Sequence, residues 1–247
     1  MTLLLAQISD LHLDGTARTR HRVRRVVDHL ASLPRAVDAL LVTGDIADHG
    51  AEEEYREAAR LLRLPFPVLT CPGNHDDRAT YRRVLLGEAP DTGPAHRLHR
   101  LDGAAVLALD ATLPGRNEGE LTERTLAWAD RELAQLPPGT LVLLAFHQPP
   151  VRLHHPLPDG SSLLHPERLA SWMAGHPEVA GVLTGHAHTS AATVFASRPL
   201  VACPATTWTL RLPWEGDEPA DLDQPPALAY HLLEPDGRLA THFRTVV

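Results

Sequence analysis

Short apolar runs alternate with amphipathic helical stripes along most of the chain, and this alternation narrows the fold more than any other feature. Leu3 to Ile8 is an apolar run of strand length. Val23, Val26, Val27 and Leu30 then recur at i, i+3, i+4 and i+7, the spacing of one helix face. Ala39 to Val42 is the next run, ending in Thr43-Gly44-Asp45. Ala51 to Arg63 reads as a helix with Tyr55, Ala58, Ala59 and Leu62 on one face and glutamates in its first turn, where the helix dipole favours them. Pro67 to Cys71 is a third run, stopped by Pro72-Gly73. Strand–helix–strand–helix–strand predicts parallel strands joined by crossover helices. Arg97–Leu101 and Ala104–Leu109 flank Asp102-Gly103, a hairpin signal. Thr122–Leu136 reads as a helix, Leu141–Phe146 as a buried strand and Pro149–Ser162 as a loop. Pro166–Ala174 reads as a short helix and Val179–Leu183 as a strand. Beyond it, short strand-like runs are broken by Pro199, Pro204 and Pro213, and residues 213–226 read as a proline- and acid-rich loop. The expectation is one α/β domain over residues 1–247, with mixed sheets flanked by helices.

Composition removes whole classes of function. At 43% hydrophobic residues, the chain can bury a core without disulfide or metal staples. A net charge of −8 argues against a nucleic-acid polymer as partner. All 23 basic residues are arginine, which removes every mechanism that needs lysine: Schiff bases, pyridoxal phosphate attachment and the phosphate-binding loop of nucleotide triphosphatases. The arginines from Arg18 to Arg25 read as the solvated face of a helix. Cys71 and Cys203 cannot build a disulfide framework or a thiolate-ligated metal site by themselves. No apolar run reaches the roughly 20 residues of a membrane span, and the start lacks a basic n-region. A cytoplasmic protein with no membrane partner is expected.

Five strand ends carry residues of metal-ligand type. Asp10 and His12 follow the first run and Asp45 the second. Asn74 and His75 follow the third, His147 the fourth, and His186 and His188 the fifth. Residues at i and i+2 of an extended chain share a face, so Asp10 with His12, and His186 with His188, are expected to reach a common point. In open sheets with crossover connections, ligands gather beyond the carboxyl ends of the strands. All five places are therefore expected in one crevice. The other eleven of the 16 histidines are read as surface or hydrogen-bonded residues. Of these, His154 and His155 lie on a loop able to overhang the crevice; Arg116 and Asn117 lie on another, and Arg78 and Arg116 are close in sequence to two site loops.

The ordered set Asp10-Leu11-His12, Gly44-Asp45-Ile46-Ala47-Asp48, Gly73-Asn74-His75-Asp76, an isolated His147 and Gly185-His186-Ala187-His188 resembles the calcineurin-like metallophosphoesterase superfamily. The stretch beginning Asp110-Ala111-Thr112-Leu113-Pro114-Gly115 and the Phe146-His147-Gln148-Pro149-Pro150 sequence resemble its class III cyclic-nucleotide phosphodiesterase branch. That branch has a second histidine where this chain has Gln148. The resemblance implies a four-layer α-β-β-α sandwich with two stacked mixed β-sheets. It implies two divalent metal ions, with Asp10, His12 and His188 holding one, Asn74, His147 and His186 the other, and Asp45 bridging. Imidazole and carboxylate donors without thiolate suit Mn2+, Fe2+ or Zn2+. Purple acid phosphatases place a tyrosine where this chain has Asp48, which is expected instead to orient a ligand or cap the helix.

The implied activity is phosphodiester hydrolysis, of 3′,5′-cyclic nucleotides such as cAMP, by a hydroxide held between two metals about 3.5–4 Å apart. His75 is implied as the group that steadies the phosphoryl oxygen or protonates the leaving alkoxide, with Asp76 holding its imidazolium. The expected partner is a small phosphate ester; a homodimer stays open. The alternatives are a general small-molecule phosphodiesterase or phosphomonoesterase, and a catalytically silent scaffold of the same fold.

Overall fold

The computed structural model describes residues 1–247. In chain order, β1 (Leu3–Ile8), α1 (Ala17–Ala31), β2 (Ala39–Thr43), α2 (Glu52–Leu61) and β3 (Val68–Cys71) form the expected alternation. Next, α3 (Arg78–Tyr81) runs into a π-helical turn at Arg82–Leu86 and on to the hairpin of β4 (Arg97–Leu101) and β5 (Ala104–Ala108). After β6 (Gly119–Glu120) and α4 (Glu123–Leu133) come β7 (Leu141–Ala145), α5 (Pro156–Asp159), β8 (Leu163–Leu164) and α6 (Pro166–Ala174). The chain continues with β9 (Val179–Thr184), β10 (Ala191–Phe195), β11 (Arg198–Ala202) and β12 (Thr209–Leu210). It ends with β13 (Ala220–Asp221), β14 (Ala227–Leu233) and β15 (Leu239–Thr245).

Two mixed sheets result. The first has the order β15-β14-β1-β2-β3, parallel from β1 to β3 and antiparallel at β14 and β15. The second has the order β10-β11-β9-β7-β5-β4, parallel at its centre and closed by antiparallel pairs at both edges. Side chains alternate across each strand and so divide between two apolar layers. In β2, Leu40 and Val42 meet α1 and α2 residues such as Val26 and Tyr55, whereas Ala39 and Leu41 face the other sheet. In β7, Val142 and Leu144 meet Leu126 of α4 and Met173 of α6, whereas Leu143 and Ala145 face the first sheet. The layers are helix, sheet, sheet, helix. Each buried Val or Leu on the α1 stripe contributes about 1.5–3 kcal/mol relative to exposure.

The arginines of α1 differ from expectation. Arg22 is buried; its Nε donates to the Thr206 carbonyl at 3.2 Å, and its guanidinium also reaches the Gln224 carbonyl. Arg25 donates to the Val246 carbonyl at 2.7 Å and Arg18 to that of Leu222. These side chains clamp the C-terminal third onto α1, because carbonyls left outside a sheet ladder need donors. The loop at 213–226 is as expected apart from the two residues of β13, which pair with β12.

Candidate active site

The carboxyl ends of β1, β2, β3, β7 and β9 meet at one edge of the sandwich, and the five motifs meet there with them. Asp45 Oδ2 lies 3.5 Å from His12 Nε2 and 3.2 Å from His147 Nε2. Asp10 Oδ1 lies 3.3 Å from His188 Nε2 and 3.8 Å from His147 Nε2. Two groups with ligand-type atoms in mutual reach emerge: Asp10, His12, Asp45 and His188, and Asp45, His147 and His186. Asp45 belongs to both.

The paired positions reach the site by a different route from strand alternation. Asp10, His12, Asp45, His186 and His188 all have positive φ, between 39° and 66°. Each turns the chain sharply just after its strand, in a conformation that costs a non-glycine residue free energy and is found where function requires it. The turns pack backbone against side chain so closely that the motif glycines are obligatory. A Cβ on Gly73 would stand 2.2 Å from Asp45 Oδ1, and one on Gly185 would stand 1.9 Å from Ser9 Oγ.

Hydrogen bonds fix which ring nitrogens face inward. His12 Nδ1 donates to Asp48 at 2.7 Å, and His188 Nδ1 donates to the Trp208 carbonyl at 3.1 Å. Both Nε2 lone pairs are thereby aimed into the site, 3.1 Å from one another. His147 Nδ1 donates to the Thr43 carbonyl at 2.7 Å. His186 Nε2 donates to Ser161 Oγ at 2.9 Å, so its Nδ1 faces His147 Nε2 at 3.2 Å. Lone pairs this close in a buried space repel unless a proton or a metal cation lies between them. Such outer hydrogen bonds are the usual means of orienting metal-binding histidines. Asn74 Oδ1 is buried and has no partner, an acceptor awaiting a cation or donor. The donor set fits two divalent ions, with Asp10, His12, His188 and Asp45 around one and Asp45, Asn74, His147 and His186 around the other.

The electrostatics point the same way. Burial alone would raise Asp45, but the charge and hydrogen bond of His147, then His12 and His75, hold its carboxyl well below the usual range. Burial would lower His147, yet Asp45 and Asp10 push it up to about 9. Burial, with His147 beside it, lowers His186 to about 3; burial and His12 lower His188 well below its ordinary value. The site attracts positive charge while keeping two imidazoles neutral, the form in which they bind metal.

Asp76 departs from expectation. It does not touch His75. Its carboxylate accepts the Ile46, Ala47 and Gly73 amides at 2.8–3.2 Å and the Tyr55 hydroxyl at 2.9 Å. Burial, and Asp45 nearby, raise its pKa to about 6. It braces the loops after β2 and β3. His75 instead donates from Nδ1 to the Asp48 carbonyl at 2.8 Å, its ring edge-on to His12. Asp48 is an orienting group, not a helix cap: the N-cap of α2 is Ala51. Of the loop residues, Asn117 lines the cleft and Arg116 does not; Arg116 pairs with Glu118. Arg78 is locked on buried Asp110 at 2.8 Å. The loop after β7 does overhang the cleft, but through Leu157, Pro158 and Ser161, while His155 is buried behind them and His154 does not line the cleft. Ser161 and Trp208 escape sequence reasoning because they stand alone in loops, outside any motif or period.

The calcineurin-like phosphoesterase family matches residues 3–190. A cAMP/cGMP dual specificity phosphodiesterase of Mycobacterium tuberculosis (strain CDC 1551 / Oshkosh) is 33% identical over 83% of this chain and 68% of its own. A glycerophosphodiester phosphodiesterase, GpdQ, of Enterobacter lignolyticus (strain SCF1) is 31% identical over 93% of this chain and 86% of its own. Among solved structures, a dimetal phosphatase from Danio rerio shares the fold with a TM-score of 0.69 at 16% identity, over 99% of this chain and 96% of that one. With the family match spanning most of its length and all five motifs at the expected strand ends, the chain belongs to the calcineurin-like phosphoesterase family.

Proposed function

We propose that residues 1–247 act as one domain, a metal-dependent phosphodiesterase that opens 3′,5′-cyclic nucleotides. The observation that carries this reading is the sharing of Asp45 between two carboxylate–imidazole groups, a donor arrangement suited to a pair of cations. In this reading Asp10, His12 and His188 hold one ion, Asn74, His147 and His186 the other, and Asp45 both. When bound, two divalent ions supply a water of lowered pKa and neutralise the phosphoryl oxygens. The remaining work falls to the chain. Asp48 and the carbonyls of Thr43 and Trp208 hold three imidazoles in one tautomer and one orientation. His75 stands at the mouth with its Nδ1–H tied to the Asp48 carbonyl, so in its imidazolium form Nε2–H is the donor that steadies a phosphoryl oxygen or hands its proton to the departing ribose oxygen, leaving the ring neutral.

The substrate preference follows from charge. No arginine lines the cleft. A phosphomonoester carries nearly two negative charges and favours guanidinium forks, whereas a diester carries one. The relative named for cAMP and cGMP supports cyclic diesters; the relative named for glycerophosphodiesters supports a wider diester range as the second reading. A panel of cyclic AMP, bis(p-nitrophenyl) phosphate and p-nitrophenyl phosphate with added manganese tests it. Diester turnover above monoester turnover is the expected result. A kcat/KM for the monoester well above that of every diester would replace the diesterase with a phosphatase.

A further inference from the structure

Five of the candidate metal-binding residues, His12, Asp45, Asn74, His186 and His188, line a cleft of about 350 Å³, and the rest of the lining is divided by chemistry. Part is polar, from Asn117, Ser161 and His75. Part is apolar, from Leu157, Pro158, Trp208 and Leu210. The Trp208 indole lies on the His188 ring, centroids 3.8 Å apart, and 5.7 Å from that of His12. It therefore packs beside two of the candidate ligands and lines the same cleft. Leu157 is 57% exposed at the lip, a large apolar side chain presented to water beside a polar centre.

The apolar residues come from two segments distant in sequence, the short helix α5 and the stretch entering β12, that a buried histidine joins. His155 Nε2 donates to the Arg211 carbonyl at 2.8 Å, and its Nδ1 accepts the Leu157 amide at 3.2 Å. The lip is tied to a candidate ligand as well: Ser161 Oγ lies 2.9 Å from His186 Nε2 and donates to the Leu157 carbonyl at 3.3 Å. Leu157 and Pro158 thus form one wall with Trp208 and Leu210, set in place before a ligand arrives. Preformed apolar walls beside a few convergent polar groups are the usual build of a small-molecule site.

We propose that Leu157, Pro158, Trp208 and Leu210 form a nucleobase subsite, which makes Leu157 and Trp208 specificity-determining residues for cyclic nucleotides over small polar diesters. The proposal rests on the phosphodiesterase reading above. A glycerol or ethanolamine substituent gains little from an indole and a leucine. A nucleobase presents a flat π-face to both, and base–aromatic stacking changes affinity by about tenfold or more when the ring is removed.

The test uses the metal-loaded protein, its Leu157→Asp and Trp208→Leu variants, and three substrates. These are 3′,5′-cyclic AMP, ribose 3′,5′-cyclic phosphate without a base, and glycerophosphoethanolamine. The wild type is expected to favour cyclic AMP over the base-free ring by about tenfold in kcat/KM. Both variants should raise KM for cyclic AMP by about five- to tenfold and abolish that preference, with metal content unchanged. Trp208→Leu keeps the carbonyl that orients His188, and Leu157→Asp alters an exposed lip, so one well-folded variant suffices. Equal kcat/KM for the two cyclic substrates in the wild type, or equal losses on both in the variants, would overturn the subsite. Turnover of glycerophosphoethanolamine with neither cyclic substrate opened would overturn the cyclic-nucleotide function as well.

Discussion

Asp45 and Asp10 are both buried carboxylates at strand ends, yet their surroundings set them different tasks. Asp45 reaches His12 on one side and His147 on the other, and its Oδ1 also accepts the His75 amide at 3.0 Å. Asp10 turns its oxygens toward His188 and accepts the His186 amide at 3.1 Å. Asp45→Ala is expected to lose more bound metal and more activity than Asp10→Ala, measured by elemental analysis and turnover side by side. Equal residual metal in the two would remove Asp45 from its shared place. These residues were legible in the sequence because each follows an apolar run directly, next to a glycine or one residue from a histidine. The left-handed turns that aim them were not legible: positive φ at a non-glycine residue leaves no compositional mark. Nor was the partner of His75. Asp76 is its neighbour in sequence, but consecutive residues of a turn point apart, and the amides of two loops claim the Asp76 carboxylate.

At the level of elements, apolar periodicity located β1 to β5, β7 and β9 and the helices α1, α2, α4 and α6, because each buries one stripe or alternates between two layers, whereas β10, β11, β14 and β15 read only as short runs broken by prolines. The π-helical turn at Arg82–Leu86 and the β14–β15 hairpin were harder to see. The first breaks the helical period, and β15 is a half-exposed edge strand whose polar residues dilute its alternation. The loops after β2 and β3 owe their shape to Asp76. Replacing it with alanine strips an acceptor from three amides and a buried hydroxyl, and each unsatisfied buried donor costs about 1–3 kcal/mol. Asp76→Ala should therefore lower the unfolding midpoint by several degrees, read by thermal denaturation of the metal-free protein. A proton-relay role would give the opposite pattern, with the midpoint intact and only kcat reduced.

Across the whole molecule, a polar bridge ties the two sheets through their apolar interface. Gln7 Nε2 donates to Thr43 Oγ1 at 2.8 Å and to the Thr184 carbonyl at 3.0 Å, and its Oε1 accepts from His231 Nε2 at 2.8 Å. His231 in turn accepts from Thr241 at 2.8 Å and is fully buried. Burial lowers its pKa to about 3. An unfolded histidine titrates near 6.5, so below that pH the unfolded chain binds a proton the folded chain refuses. The contribution of His231 to stability is complete above about pH 6.5 and falls with pH by up to about 1.4 kcal/mol per unit until about pH 3. Urea unfolding between pH 7 and 5 should show about 2 kcal/mol lost through this group, and His231→Asn should give a shallower slope from a lower starting stability. Identical slopes would assign the pH dependence to other residues. The inner polar bridge itself was invisible in sequence, since Gln7 and His231 look like interruptions of apolar strands until the sheets are stacked. The candidate metal-binding residues likewise run from Asp10 to His188 and draw on both sheets, and that spread has a consequence in time. No partial chain and no single sheet assembles the donor set, so a cation finds a durable home only once the sheets have docked. Bound metal should then act as a latch on the finished fold, lengthening the lifetime of the native state while leaving the rate at which the chain first collapses unchanged.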